Sequence, residues 1–321
     1  AYGITGWVIL TLIQYATDDQ VARWVNPALN QELIWCQLFS EPEAGSDAAG
    51  VKTKATRVDG GFLVNGQKVW TSGAHQAAFG LATVRTNPDV KKHDGITTMV
   101  IDMHADGVEV RPIKMPTGNS SFNEVFFTDA RTAKENVVGD VNNGWTVANT
   151  LLGFERGGRS TVLSIGYRSE LDSIIELARK KGADKDPLIR QRLAWAHGQV
   201  EIMRYLGMQS LTKALAGEQP GPSASIIKLF WSEYHKKVTE LSLDILGADA
   251  LAPSGDMSGS SIQASGGGEL TSNQAVRTFL GARPGTIYAG TSQVQRNIIG
   301  ERVLGLPKEP RADTGPWNER G

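Results

Sequence analysis

The sequence predicts an α+β fold in three successive parts: a helical amino-terminal segment, a central β module of barrel or sandwich type, and a helical carboxyl-terminal part. Three changes of pattern carry this reading. Residues 1–34 place Trp7, Leu10, Ile13, Tyr15, Val21 and Trp24 at helical steps, and Pro27 is expected to break the run. Residues 35–143 switch to short β-branched stretches punctuated by Gly and Pro. Residues 144–310 return to a helical period, and 311–321 form a polar segment read as a frayed tail.

Within the β module, Val58-Asp59-Gly60-Gly61-Phe62 and Val64-Asn65-Gly66-Gln67 are two hairpin-type turn signals close together. Strands are expected over residues 81–86, 97–102, 108–113 and 123–128. The carboxyl-terminal part predicts one long helix over 145–181, interrupted by Gly153, Gly157 and Gly158, then helices over 190–216 and 223–246. Pro220-Gly221-Pro222 divides the last two. Residues 252–268, rich in Gly and Ser, read as a mobile surface loop. No internal repeat is present.

The 321 residues suffice for a large core and for two packed units. Thirty-three Lys+Arg against 34 Asp+Glu give a net charge of −1, which offers nothing to nucleic acid or to an anionic membrane surface. A single cysteine, Cys36, can form neither an intrachain disulfide nor a cysteine metal site, and points to a reducing compartment. His75, His93, His104, His197 and His235 show no paired ligand spacing, so no metal is expected. The apolar run at 3–13 is too short to span a bilayer and has no basic flank. The chain is therefore expected to be soluble and cytoplasmic. It opens at Ala1 inside a helical pattern, and a preceding helical portion is expected.

Four segments concentrate the residues suited to chemistry. In residues 286–299 a β-leaning Thr286-Ile287-Tyr288 meets the small-residue turn Ala289-Gly290. Thr291 and Ser292 then offer N-cap hydroxyls to a helix with Val294, Ile298, Ile299 and Val303 on one side. Free backbone N–H groups at such a junction suit a carbonyl or an anion. In Gln37-Leu38-Phe39-Ser40-Glu41-Pro42-Glu43-Ala44-Gly45-Ser46-Asp47 a compact turn exposes amides and hydroxyls. In Asn65-Gly66-Gln67-Lys68-Val69-Trp70-Thr71-Ser72 an indole at a strand end can cover a flat ring while hydroxyls reach its polar edge. In Leu151-Leu152-Gly153-Phe154-Glu155-Arg156-Gly157-Gly158 two adjacent charged residues point about 100° apart on a helix. Taken singly, each segment also reads as ordinary structure: a strand-to-helix connection, a Ser turn, a rim tryptophan, a surface ion pair.

Together these segments, in this order, resemble the acyl-CoA dehydrogenase family over essentially the whole chain. The resemblance implies an acyl-CoA dehydrogenase-like fold whose carboxyl-terminal domain is of four-helix-bundle type. It also implies FAD as cofactor, an acyl-CoA substrate and an electron-transfer flavoprotein as electron acceptor. Carried over residue by residue, it implies that Ser40 and the backbone around Gln37 and Phe39 bond the isoalloxazine edge. Gly45 and Ser46 then lie where flavin and thioester meet, Trp70 covers the flavin, and Thr71 and Ser72 supply hydroxyls. Thr291 and Gln293 contact the adenylate or phosphates. Arg156 lines the acyl pocket.

The family's usual loop reads Tyr-Glu-Gly-Thr-Ser-x-x-Gln and its Glu is commonly the catalytic base, but here that position is Ala289. A minority of members carry the base immediately before the Arg on the helix, which in this sequence is Glu155. The resemblance therefore implies Glu155 as base, with its pKa raised by desolvation, and the Ala289 backbone amide as a donor to the thioester oxygen. Members with a helix-borne base tend to take branched, long or bulky acyl groups, and the same is expected here.

Two further departures bear on assembly. Asp244-Ile245-Leu246-Gly247-Ala248 stands where the family has Gln-x-Leu-Gly-Gly, and Arg179-Lys180-Lys181-Gly182 stands where it has Arg-Lys-x-Phe-Gly. In the family the second motif sends an Arg to a neighbouring subunit's pyrophosphate, so a tetramer is expected, either of identical chains or an α2β2 assembly with a related partner. A flavin oxidase or monooxygenase, and a non-catalytic partner subunit, are the alternative readings.

Overall fold

The computed structural model describes residues 3–157, 162–218, 221–255, 269–308, 310 and 315–319, with only the backbone of Arg156 and Gly157. The chain divides into two compact units, Ala1–Glu155 with Glu309–Gly321, and Arg156–Lys308.

The first unit opens with α1 (Ile4–Tyr15) and α2 (Asp18–Leu29). The break falls at Thr17, whose hydroxyl accepts from the Gln20 backbone while the Gln20 side chain accepts from Thr17 N–H, a reciprocal cap that starts α2. Pro27 was expected to end the helical run and does not. It sits in the last turn of α2, so the disturbance caused by its missing N–H is confined to a helix that ends two residues later. Val8, Leu12 and Trp24 face Trp35, Leu81 and Val100 of the sheet, with Trp24 and Trp35 edge to face at 6.0 Å.

Among the described residues seven strands form one mixed sheet: β1 (Trp35–Leu38), β2 (Lys54–Val58), β3 (Gly61–Ser72), β4 (Phe79–Arg85), β5 (Ile96–Asp102), β6 (Val108–Ile113) and β7 (Phe122–Ala133). The order is β1-β4-β2-β3-β7-β6, with β5 pairing β4; β1 runs parallel to β4, and the long β3–β7 pair is antiparallel. Cys36, Phe62, Val64, Met99, Val125 and Phe127 fill a core on this sheet. Burial pushes the Cys36 thiol up to about 12, so it behaves as a small apolar residue.

Asp59-Gly60 turns β2 into β3 as expected, Gly60 taking φ 75°. Asn65-Gly66 does not form a turn. It lies inside the continuous β3, where the β3–β7 register slips between Val64 and Gly66. A Cβ on Gly66, at φ 145°, would stand 2.7 Å from Thr53 Cα, so this glycine serves a bulge and a close backbone approach.

The unit continues into α3 (Gly144–Gly157). The tail, expected to fray, docks through its described residues 315–319. Trp317 N–H donates to the Val90 carbonyl, Asn318 N–H to that of Pro88, and the Trp317 ring lies 4.6 Å from the buried Arg85 guanidinium. Arg85 in turn donates to the carbonyls of Ala49, Val51 and Lys92.

The second unit is helical: α4 (Leu163–Lys181), α5 (Pro187–Leu215), α6 (Ala224–Leu246), α7 (Ser272–Ala282) and α8 (Ser292–Ile298), the last running into a π-helical turn over Ile299–Val303. The single helix expected over 145–181 is described as two, α3 and α4, and residues 158–161 between them, Gly158 included, lie outside the described residues. Tyr167, Leu171, Val200, Val238 and Leu241 build the core. Inside it His235 Nε2 meets Glu170 Oε1 at 3.1 Å, both fully buried. Sequence reasoning missed α7, although Thr271 and Gln274 form a second reciprocal cap at its start. Most of the expected surface loop, residues 256–268, lies outside the described residues. Among the described residues no helix is long and apolar enough to cross a membrane.

Candidate functional site

In the first unit the structure brings two of the singled-out segments together. Residues 39–41 lie against the end of β3: Val69 N–H donates to the Ser40 carbonyl at 2.9 Å. The fully buried Lys68 donates to the Phe39 carbonyl at 3.1 Å, to Glu41 Oε1 at 2.7 Å and to the Thr83 carbonyl at 2.7 Å. Glu41 also accepts from Lys52 N–H at 2.6 Å and Thr53 N–H at 3.0 Å. Burial alone favours the neutral carboxyl, but the Lys68 ammonium and these donors outweigh it and hold Glu41 below its usual range. Burial pulls Lys68 downward and Glu41 only partly offsets that. Neither residue was singled out for this brace, because 27 positions separate the partners.

Beyond Lys68 the register slips again, and Trp70 takes a left-handed backbone, φ 60°. A non-glycine residue in that region costs of order 1–3 kcal/mol and persists where surroundings enforce it. The outcome is an indole left 60% exposed, edge-on to Phe122 at 6.3 Å. Ser72 keeps partial access, but Thr71 turns inward: its Oγ1 is covered by protein and has no partner, and its carbonyl accepts from Asn123. The hydroxyl expected from Thr71 is therefore not on the open side, because the register slip between Lys68 and Thr71 gives that side to Trp70 and Ser72.

Gln37 Oε1 accepts from Trp7 Nε1 at 3.2 Å. Gly45 and Ser46 are exposed, and the neighbouring Asp47 is tied to the buried Lys92 at 2.8 Å. Glu155 lies half-buried in the last turn of α3. Arg156 follows it, its side chain outside the described residues.

In the second unit, residues 283–292 differ from expectation. Thr286-Ile287-Tyr288 is not a strand: Pro284 starts a 3-10 turn over Arg283–Thr286, and Ile287 and Tyr288 both donate to the Pro284 carbonyl. The chain then takes two left-handed residues, Ala289 (φ 53°) and Gly290 (φ 89°). Thr291 caps α8 by accepting from Val294 N–H, Ser292 donates to Glu233 at 2.7 Å, and Gln293 is exposed. Two residues not foreseen hold this loop: Gln295 Nε2 donates to the Ala289 carbonyl at 2.9 Å, and Lys228 Nζ to the Gly290 carbonyl at 2.6 Å. Gln295 stands at the closing Gln of the family loop Tyr-Glu-Gly-Thr-Ser-x-x-Gln, a signal present in the sequence that carries no hint of this bracing contact. At the end of α4, Arg179, Lys180 and Lys181 pair with Glu176, Glu269 and Asp249, and Asp244 pairs with Arg192 at 2.6 Å.

Residues 36–130 match the acyl-CoA dehydrogenase middle domain, and residues 142–304 match the acyl-CoA dehydrogenase C-terminal domain. The chain is 40% identical to acyl-CoA dehydrogenase IpdE1 of Mycolicibacterium smegmatis, over 93% of its own length and 74% of that protein's. It is 38% identical to acyl-CoA dehydrogenase FadE34 of Mycobacterium tuberculosis, over 94% of its length and 39% of that protein's. Among solved structures it resembles the Tcur3481-Tcur3483 steroid ACAD, with TM-score 0.83 and 27% identity over 94% of this chain and 76% of that one. It also resembles the ChsE4-ChsE5 complex from Mycobacterium tuberculosis, with TM-score 0.79 and 28% identity over 94% and 76%. By domain match and by identity alike, the chain belongs to the acyl-CoA dehydrogenase family and is an oxidoreductase.

Proposed function

We propose that this chain carries out the α,β-dehydrogenation of an acyl-CoA thioester to the trans-2-enoyl-CoA, with Glu155 as the base. The family's cofactor is FAD, which when bound accepts the β hydrogen as hydride. The residues present fit a flavin: an indole 60% exposed beside the accessible Ser72, braced through Lys68 and Val69 to the Phe39–Ser40 backbone, offers a flat apolar cover with polar atoms at its rim. Gln37, Phe39, Ser40, Gly45, Ser46, Trp70 and Ser72 would hold the ring, and Thr291 and Gln293 the adenylate or phosphates.

The Glu155 carboxylate takes the α proton, and the Ala289 N–H donates to the thioester oxygen as negative charge develops there. Arg156 is the residue that the family resemblance assigns to the acyl pocket. The observation that supports the assignment is the residue pair itself: Ala stands at 289, where the family commonly carries its base, and Glu155 stands immediately before Arg156, where a minority of members carry it. Replacement of Glu155 by Gln should lower turnover about 10²–10⁴-fold while the flavin-to-chain ratio stays at the parent's. Undiminished turnover would sink the assignment.

Ala in place of Glu at 289, and the steroid ACAD among the structural relatives, support a bulky or polycyclic acyl group. The electrons pass to an electron-transfer flavoprotein. The ChsE4-ChsE5 relative supports assembly with a related but different chain, in which this subunit could also serve as the non-catalytic partner. The flavin-to-chain ratio and mass of the purified complex separate the two roles: a chain that forms an active, fully flavinated oligomer alone contradicts the heteromeric reading.

A further inference from the structure

The loop that contributes the Ala289 amide is held from behind, and what holds it has no part in the chemistry described so far. Gln295 is fully buried on α8, and its Nε2 reaches the carbonyls of both Ala289, at 2.9 Å, and Gly290, at 3.3 Å. Its Oε1 is buried with no partner. A buried amide that leaves its acceptor half unsatisfied gives up solvation for the sake of its donor half. Lys228 on α6 is buried as well, and its ammonium donates to the Gly290 carbonyl at 2.6 Å, a charge-assisted bond. Two successive carbonyls are thus turned inward by a neutral donor and a cationic one.

The consequence follows from peptide geometry. In a trans peptide the carbonyl and the next residue's N–H point in opposite directions. Inward carbonyls at Ala289 and Gly290 therefore turn the N–H groups of Gly290 and Thr291 away from Gln295 and Lys228. The left-handed dihedral at Ala289, φ 53°, then fixes the preceding peptide plane and with it the Ala289 N–H. Among the described residues, the N–H groups of Ala289, Gly290 and Thr291 donate to no protein acceptor. An alanine enters this conformation reluctantly, so the loop needs an external constraint to keep it there. Trp231, whose ring meets Tyr288 at 6.2 Å and packs on Gly285, supports the other end of the same turn.

We propose that Lys228 and Gln295 are positioning residues for the reaction: by holding the Ala289 and Gly290 carbonyls they aim the Ala289 amide at the thioester oxygen. The proposal rests on the reading of the Ala289 amide given above. A donor displaced by about 1 Å loses much of its effect on a developing charge, up to about 10²-fold in rate. Loss of either clamp should act on kcat more than on KM, because the oxygen carries its charge in the transition state rather than in the bound substrate.

The test uses the flavin-loaded oligomer with a long-chain trans-enoyl-CoA, isotope-labelled at the thioester carbonyl, and reads the carbonyl stretch by difference infrared spectroscopy. In the parent the stretch moves to lower wavenumber on binding. In Gln295→Met and Lys228→Met the shift shrinks by half or more and kcat falls about 10–100-fold, with KM changed less than threefold. Lys228→Arg, which keeps a cationic donor, restores most of the shift and serves as the informative variant if Lys228→Met fails to retain flavin. Variants that keep the parent's full shift and kcat overturn the proposal while leaving the amide reading intact. A parent that shows no shift overturns both.

Discussion

Replacement of Lys68 by Met tests whether the two flavin-side segments are held together as described. The substitution keeps the volume of a fully buried side chain but removes three hydrogen bonds, to the Phe39 carbonyl, Glu41 and the Thr83 carbonyl. It also leaves Glu41 buried without its cation. Breaking a buried pair from one side costs about 3–5 kcal/mol, and Glu41 retains the Lys52 and Thr53 amides, so we expect the lower part of that range. For a unit of this size about 3–4 kcal/mol corresponds to a fall in Tm of roughly 6–15 °C. FAD affinity should fall with it, because the Phe39–Ser40 backbone loses one of its two anchors on β3 and keeps only the Val69 N–H bond to Ser40.

The pH dependence has a definite sign. Glu41 is held below its usual value of 4.5, so the stability it lends is present above that pH and is lost as pH falls through the folded value. The deficit of Lys68→Met relative to the parent should therefore be largest above pH about 4.5 and shrink on acidification. Adding Glu41→Gln to Lys68→Met should recover part of the loss, since no buried charge is then left unpaired. Thermal melts of the parent, the single and the double variant from pH 8 down to about pH 3 provide the measurement. A Lys68→Met protein as stable as the parent at pH 7, with unchanged FAD affinity, would refute the bracing role.

Three other perturbations have expected outcomes. Trp24→Ala empties a fully buried site packed edge-on to Trp35 and should destabilise the protein by about 3–5 kcal/mol in denaturant titration. Gly66→Ala forces a Cβ to 2.7 Å from Thr53 Cα at φ 145°, so a clear drop in Tm is expected, whereas Gly153→Ala on α3, with nothing near its Cβ, should be neutral or stabilising. Thr17→Ala removes the α2 cap and should cost about 1 kcal/mol, read as a Tm shift with no change in turnover.

Much of the fold was legible because local pattern and final environment agree. The apolar, β-branched stretches of β4 and β5 became buried strands, and the long helical periods became α5 and α6. The errors occurred where one local signal serves two geometries. Asn65-Gly66 looks like a hairpin turn, but a bulge also uses a glycine, and only the approach of Thr53 decides between them. Thr286-Ile287-Tyr288 leans toward β, yet Pro284 and the packing of Tyr288 on Trp231 impose a helical turn. Pro27 reads as a breaker and is tolerated in a final helical turn.

The candidate site was legible as motifs and not as mechanics. Phe39, Ser40, Trp70 and Ala289 can be named from sequence. Lys68 and Lys228, which set their backbones, cannot, since each acts on carbonyls at least 15 residues away. The inward turn of Thr71 was equally hidden, because it follows from a register slip between Lys68 and Thr71.

The central claim, that Glu155 removes the α proton, is tested most directly by proton exchange without turnover. A redox-inactive acyl-CoA analogue with an acidic α position is incubated with the flavin-loaded oligomer in deuterated buffer, and deuterium uptake at that position is followed by mass spectrometry. The account predicts rapid uptake with the parent and uptake about 10²–10⁴-fold slower with Glu155→Gln at equal flavin content. Exchange by Glu155→Gln at the parent's rate would contradict it.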